Sequence, residues 1–347
     1  MAILYKTDSY SLIDHRKYTL HIYKNVLADG NESHFALLVK LFAILGYKNQ
    51  VKSRKRRYEA IQVHEETLVV QEKFEKLLFY INSEIKDELC QKYNILNTQA
   101  VRELAQELQK STIFSFIGIN GGNSSNFPLK CKIKEDYFLI PRNSRFFCGC
   151  VKEQCLKLEG NKYDIVVADP PWWNKYIRRL KGADDKLSYS MMYNEDIASI
   201  PLGNLLSTNC LIAVWCTNSP SNISAVKDLI FPSWGVQYVT TWYWLKVTID
   251  LEPICAFTEG CKKQPYERII LGRVGEVADL PDSHLIVSVP SALHSHKPPL
   301  IDVLSPYIKT ASPQVLELFA RYLLPNTTSV GYEPLKWQHI SLYEEIT

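Results

Sequence analysis

From about residue 136 onward, short β-rich runs recur with helix-compatible stretches between several of them. No other feature constrains the fold as strongly. The runs are Tyr163–Ala168, Cys210–Trp215, Val236–Val247, Arg268–Leu271, Leu285–Val289 and Val315–Phe319. Glu195–Leu206 and Asn222–Ile230 read as helices between them. Strands alternating with helices predict an α/β sheet with helices on both faces. In such sheets ligands lie beyond the carboxyl ends of the strands, so the residues that directly follow each strand are the functional candidates.

Residues 1–135 differ in character and are expected to form a mainly helical extension, with the α/β domain spanning 136–347. Residues 3–24 alternate and are rich in tyrosine, which suits strands or a hairpin. Residues 33–46 resemble a short apolar helix, and residues 58–93, rich in Glu, Lys, Leu and Ile, also read as helical. A further helix starts at Thr98 as N-cap, with Val101, Leu104, Ala105 and Leu108 on one face. The Gly- and Asn-rich stretch Gly118–Asn126 reads as a turn or loop ahead of the boundary. The densest charge run, Lys52-Ser53-Arg54-Lys55-Arg56-Arg57, suits phosphate contact or a nuclear address, and equally a solvated surface.

Composition narrows the class. Apolar residues make up 46% and charged residues 22%, an ordinary globular balance. The net charge is only +3, so a nucleic-acid partner requires a local basic patch. Nine cysteines occur without a CxxC pair, which suggests reduced thiols in a cytosolic or nuclear protein and argues against a metal site. The start MAILYKTDSYSLIDHRK lacks a basic segment followed by an apolar one, so a secretory signal is not expected. The longest apolar segment, Phe35 to Leu45, is interrupted by Lys40 and falls short of the roughly 20 residues of a membrane span. A soluble, intracellular protein is the expectation.

One strand end carries chemistry. Asp164-Ile165-Val166-Val167-Ala168 runs into Asp169-Pro170-Pro171-Trp172. The pattern suits work on an aromatic amine such as that of adenine. The amino lone pair is delocalised into the ring, so a site must draw the nitrogen toward tetrahedral geometry and accept hydrogen bonds from its protons. Asp169 can accept one, and a backbone carbonyl held by Pro170 and Pro171 can accept the other. Trp172 would stack on the base. Alone, a Pro-Pro pair merely ends a strand and a tryptophan merely caps a core. Trp242, Trp244 and Lys246 share a face of one strand at period two. A core stripe is the default reading, but a lysine at its end is unusual in a core, which places Trp244 and Lys246 near the target base.

Together with residues 209–218, 232–248, 265–274, 285–300 and 316–325, the Asp-Pro-Pro-Trp segment resembles the adenine-N6 methyltransferases of the eukaryotic messenger-RNA adenosine methyltransferase family. The resemblance covers roughly residues 140–345 and points to the branch that methylates adenosine in small nuclear RNA. It implies a Rossmann-like class I methyltransferase sheet, S-adenosylmethionine as cofactor, and RNA as partner, with (2′-O-methyl)adenosine as the acceptor and a nuclear location, the cytoplasm coming second. No membrane and no obligate protein partner are indicated.

Residue by residue, the resemblance implies that Asp169, Pro170, Pro171 and Trp172 meet the target adenine, with Asp169 also near the cofactor's amino group. Lys297 would hold the cofactor carboxylate, and Ser295 and His296 would border the substrate. Glu317, Leu318, Phe319 and Arg321 would lie under the cofactor ribose. Cys150 and Val151 would sit by its adenine, and Tyr332 and Glu333 by its ribose hydroxyls. Asn174 and Lys175 belong to a cationic loop after the motif, suited to closing over substrate or to remaining solvated. Two positions depart from the family pattern: Cys150 stands where an acid is usual, and Tyr332 where an asparagine is. DNA as substrate is one alternative. A non-catalytic RNA-binding scaffold is another; the intact Asp169–Trp172 motif counts against it, and the two departures count for it.

Overall fold

Burial on both faces decides where the strands sit. The computed structural model describes residues 2–28, 31–44, 60–89, 98–111, 116–173, 191–257 and 264–346. The strands, in chain order, are β1 (Ile3–Lys6), β2 (Tyr10–Ile13), β3 (Val26–Ala28), β4 (Asn31–Leu37), β5 (Asn120–Asn123), β6 (Leu129–Ile133), β7 (Asp136–Ile140), β8 (Ser144–Cys148), β9 (Tyr163–Ala168), β10 (Leu206–Cys216), β11 (Gln237–Lys246), β12 (Tyr266–Val274), β13 (Leu285–Ser288), β14 (Val315–Leu318), β15 (Thr327–Gly331) and β16 (Tyr343–Ile346). The helices that position the site are α1 (His15–Ile22), α2 (Ala60–Tyr80), α3 (Ser83–Leu89), α4 (Thr98–Ser111) and α5 (Val151–Lys157).

On β9, Val166 and Ala168 join one apolar cluster while Ile165 and Val167 join another. On β10, Ile212 and Val214 alternate in the same way with Leu211, Ala213 and Trp215. Period-two side chains therefore fill two layers. One is closed by α5 through Val151 and Cys155 and by Phe231 and Trp234; the other is closed by Leu300, Val303 and Leu304. The expected α/β sheet covered on both faces is what forms, in the arrangement of a Rossmann-like methyltransferase.

The main sheet has the order β1-β2-β13-β11-β12-β10-β9-β14-β15-β8-β5. β8, β15, β14, β9 and β10 run parallel, β12 reverses, and β11, β13 and β2 resume the first direction. One edge of the sheet thus collects the carboxyl ends of these strands and the amino end of β12. A second sheet has the order β16-β4-β3-β6-β7.

Residues 1–135 carry the helices α1–α4, as expected of a mainly helical segment, but they do not form a unit apart from the sheet. β1, β2 and β5 are strands of the main sheet, and β7, beyond the expected boundary, belongs to the second one. The tyrosine-rich alternation near the start forms the β1–β2 hairpin, followed by α1. The apolar stretch 33–46 was expected to be helical, but β4 occupies it up to Leu37 and a short 3-10 turn spans Val39–Phe42. Its partner β16 lies at the other end of the chain, as in the pair Leu37–Tyr343, so local periodicity could not reveal it. Gly118–Asn126 contains β5 because its glycines allow close approach: a Cβ on Gly122 would meet Ser144 O at 2.3 Å.

α4 begins at Thr98 and buries Val101, Ala105 and Leu108, as its spacing predicts. α2 lays Val70, Phe74 and Leu77 against Tyr243, Leu245, Leu285 and Val287. Its Glu66 pairs with the buried Arg268 of β12. The expected helix Glu195–Leu206 is two pieces, Asn194–Ala198 and a 3-10 turn at Leu202–Leu205, separated at Pro201. The expected helix Asn222–Ile230 forms as Pro220–Ala225 followed by a π turn at Val226–Ile230. The basic run 52–57 lies outside the described residues.

Candidate active site

At the end of β9 the backbone N–H of Asp169 donates to Leu318 O at 3.3 Å, tying the strand end to β14. Beyond it, Pro170 O accepts from Trp172 N at 2.8 Å and Pro171 O from Met192 N at 2.9 Å. Each prolyl carbonyl retains a second lone pair. The Asp169 carboxylate is held from the side: Ser295 Oγ donates to Oδ2 at 2.8 Å, and Lys297 Nζ lies 3.8 Å from Oδ1. Ser295 and Phe319, both beside this carboxylate's strand end, have φ of +57° and +62°. Left-handed backbone at a non-glycine residue costs about 1–3 kcal/mol and persists where the surroundings over-determine it.

Glu267, at the amino end of β12, ties this side of the site together. Its carboxylate pairs with both Lys297 and Lys246. Burial opposes its ionisation, but the two ammonium groups outweigh burial and hold the carboxyl well below the usual range. Burial likewise works against the Lys297 cation, and Asp169 and Glu267 more than offset it, raising its pKa. Sequence reasoning missed Glu267. The available signal was an acid beside an arginine at the head of a strand whose middle, Ile269 to Leu271, is apolar.

Trp242 and Trp244 are buried on one face of β11, with Lys246 at the end of the stripe. Trp244 Nε1 donates to Ser288 Oγ at 2.8 Å, while Lys246 Nζ lies 4.6 Å from the Trp244 ring centroid. Lys297 Nζ lies 5.1 Å from the Trp215 ring, so the two lysines sit on aromatic surface as well as on Glu267. Trp172 is buried among apolar residues, and its indole N–H donates to Trp215 O at 3.0 Å. It braces the motif from within the core. Trp173, stacked on Tyr193 at 6.0 Å, is the more accessible ring. His296 is also interior, packed between His15 and Tyr322. The structure thus brings Ser295, Lys297, Lys246 and Asp169 together and sets Trp172 and His296 behind them. Asn174 and Lys175 lie outside the described residues.

Beside Asp169 a cavity of about 320 Å³ opens beyond β8, β14 and β15. Cys150, Val151, Phe319, Arg321, Tyr332 and Glu333 line it together with Asp169. The two departures from the family pattern meet here, since Cys150 and Tyr332 line the cavity together; burial first and then the neighbouring thiol raise the Tyr332 pKa. Glu333 accepts from Lys336 Nζ at 2.8 Å, and Arg321 Nη1 lies 3.2 Å from His294 Nδ1. Leu318 is fully buried and contributes its carbonyl, not its side chain. Glu317 borders a smaller adjoining void with Lys297 and Tyr322, and one of its carboxyl oxygens has no partner. Burial, then the neighbouring Asp169, pushes its carboxyl up to about 8. No group of three or more metal-ligating side chains occurs among the described residues, and no helix there is long and apolar enough to cross a membrane.

Residues 163–333 match the MT-A70 family. Over 274 residues the chain is 35% identical to the human N(6)-adenine-specific methyltransferase METTL4, covering 74% of this chain and 56% of the relative. It is 38% identical over 214 residues to a Caenorhabditis elegans DNA N6-methyl methyltransferase, covering 58% and 55%. It is 30% identical over 213 residues to the N6-methyladenosine RNA methyltransferase MTA1 of Pyricularia oryzae, covering 59% and 56%. The chain therefore spans little more than half the length of these curated relatives.

Proposed function

Because the chain belongs to the MT-A70 family, we propose that it is an S-adenosylmethionine-dependent methyltransferase acting on the 6-amino group of adenine in RNA, with (2′-O-methyl)adenosine of a small nuclear RNA as the acceptor. The observation that carries this reading is the Asp169 carboxylate, fixed at a strand end by Ser295 and Lys297 beside a cavity of ligand size. Small-molecule pockets start at about 300 Å³, which this cavity meets.

The residues present fit the cofactor. The unpartnered carboxyl oxygen of Glu317 belongs to a residue that borders a void shared with Lys297, and a Cβ at Gly331 would meet Ala320 O at 3.0 Å, so β15 packs closely against the Ala320 wall of the cavity only with glycine there. Cys150, Val151, Tyr332 and Glu333 would hold the nucleoside end, and Lys297 the carboxylate end. Bound there, the cofactor supplies an electrophilic methyl group. The chain's own task is to make the adenine nitrogen nucleophilic. Asp169 accepts one amino proton in a hydrogen bond, and the free lone pair of a prolyl carbonyl accepts the other, which favours the tetrahedral nitrogen of the transition state. Lys297 and Ser295 keep the carboxylate from rotating away, so little reorganisation is needed when charge develops.

The resemblance to the small-nuclear-RNA branch supports RNA over DNA, and the names of the relatives include both. The intact motif supports catalysis over a scaffold role. A nuclear location, with the cytoplasm second, draws its support from the basic run 52–57 as an address. Two measurements test the reading. Calorimetry should detect S-adenosylmethionine binding, which a scaffold lacks. Labelled-methyl transfer to matched RNA and DNA oligonucleotides should favour RNA; preference for DNA would reassign the substrate.

A further inference from the structure

Trp172 is buried with its indole N–H bonded inside the core, so its ring is not offered to a base. Accessible aromatic surface lies one residue further along the chain. Trp173 is half-buried and Tyr193 is 58% exposed, and their rings are nearly parallel, 18° apart with centroids at 6.0 Å. A single exposed aromatic ring is ordinary on a protein surface. This pair differs because its backbone is tied to the Asp-Pro-Pro-Trp motif. Met192 N–H donates to Pro171 O at 2.9 Å, and Trp173 N–H donates to Met192 O at 3.2 Å. Tyr193 precedes the helix Asn194–Ala198, where the Asp196 carboxylate accepts its N–H at 3.2 Å. Both rings therefore stand in fixed register with the Pro171 carbonyl.

The position of the pair says what it meets. Pro171, Met192 and Asp196 line the cavity beside Asp169, whereas Trp173 and Tyr193 do not. The two rings thus stand at the rim, each next in the chain to a residue of the motif or the wall. An adenine whose amino group reaches Asp169 lies on the cavity side of that rim, so the next nucleotide of the strand crosses it. An open ring face takes the face of any base, because every base has a π-surface. The same wall carries Lys152, an exposed ammonium 3.2 Å from Ser199 Oγ, suited to the phosphate that joins the two nucleotides. A cation on the wall beneath a free ring face favours a nucleotide over an apolar partner.

We propose that Trp173 and Tyr193 form a stacking platform for the base next to the target adenine; the proposal rests on the nucleic-acid reading above. The test uses the full chain and fluorescently labelled RNA pentanucleotides with a central adenosine, either intact or abasic at one flanking position at a time. Anisotropy reads binding, and methyl transfer is read in parallel. Wild-type protein should bind one of the abasic probes about ten-fold more weakly than the intact RNA, the weight of one stacked base. Tyr193→Ala should bind the intact RNA about ten-fold more weakly than wild type and show no further loss with that abasic probe. Tyr193→Phe, which keeps the ring, should behave as wild type. Cofactor affinity and the melting midpoint should be the same in all three proteins, because the side chain is exposed and lies outside the cavity lining. A merely structural tyrosine would instead weaken every probe by the same factor. Equal binding of all probes by the wild type, or an abasic penalty that persists in Tyr193→Ala, would overturn the platform. Absence of methyl transfer to every probe, with the coupling between Tyr193 and the abasic position intact, would instead sink the methyltransferase reading and leave the platform standing.

Discussion

The two halves of the site solve different problems along one sheet edge. On the acceptor side, Asp169, Glu267, Lys246 and Lys297 form a chain of partly buried, alternating charges fixed on aromatic surface. On the proposed cofactor side, the cavity beyond β8, β14 and β15 carries charge at Asp169, Arg321 and Glu333, while Cys150 and Tyr332 are neutral wall positions in place of an acid and an amide. The contrast teaches where substitution is tolerated. A group that must restrain a carboxylate during reaction needs charge and geometry together. A neutral contact to a bound ligand can be exchanged for another at a cost of about 0.5–1.5 kcal/mol.

The comparison breaks first at Asp169. Asp169→Ala should lower methyl transfer by about 100- to 1,000-fold, the weight of one preorganised group. The thermal midpoint should hold, because Lys297 keeps Glu267 as its partner. Single-turnover transfer together with a melting curve checks both; near-normal turnover would remove the acceptor side from the account.

Lys297→Ala comes next and should act twice. Cofactor affinity should fall about ten- to a hundred-fold through loss of a charge-assisted bond. The midpoint should also drop, because Asp169 and Glu267 then face each other without the cation between them. Calorimetry showing an unchanged dissociation constant would confine Lys297 to the acceptor side and sharpen the division.

Smaller effects lie outside both halves. Replacing Lys52, Arg54, Lys55, Arg56 and Arg57 by glutamine should weaken RNA binding across sequences and flatten log affinity against log salt, with cofactor affinity unchanged. An unchanged salt slope would return that run to a solvated surface or an import address.

The last effect is read in stability rather than in activity: a pH signature of Glu317, which borders the void beside Lys297. The Glu317 carboxyl, raised from 4.5 to about 8 by burial and then by Asp169, stays protonated in the folded protein while the unfolded chain ionises. It therefore costs stability increasingly as pH rises from about 4.5 to 8, and by a constant amount above that. Glu317→Gln is neutral throughout. Without cofactor it should melt like wild type below pH 4.5 and progressively higher than wild type up to pH 8. A constant difference across that range would mean that Glu317 titrates normally.

How legible these halves were in the sequence follows from how local their signals are. β9 and its Asp-Pro-Pro-Trp end could be read directly, since a Val-rich run stopped by two prolines carries its own boundary. Lys297 and Arg321 came through resemblance alone, because a lysine or arginine out of context is usually solvated. Glu267 was missed, since its meaning depends on two lysines 21 and 30 residues away. Trp172 could be read as a key residue, but its burial behind the motif depends on Trp215, on a different strand. The same limit hid β4 and the weaving of β1, β2 and β5 into the main sheet, all set by long-range pairing.

The central claim is that the 6-amino group of adenine is the acceptor. The most direct measurement gives the protein labelled cofactor and an RNA oligonucleotide with a single adenosine, alongside the same RNA carrying purine riboside, which lacks the amino group. Nucleoside mass spectrometry then locates the methyl group. The account predicts N6-methyladenosine from the first RNA and no transfer to the second. A methyl group on a ring nitrogen, or equal labelling of the purine-riboside RNA, would contradict it.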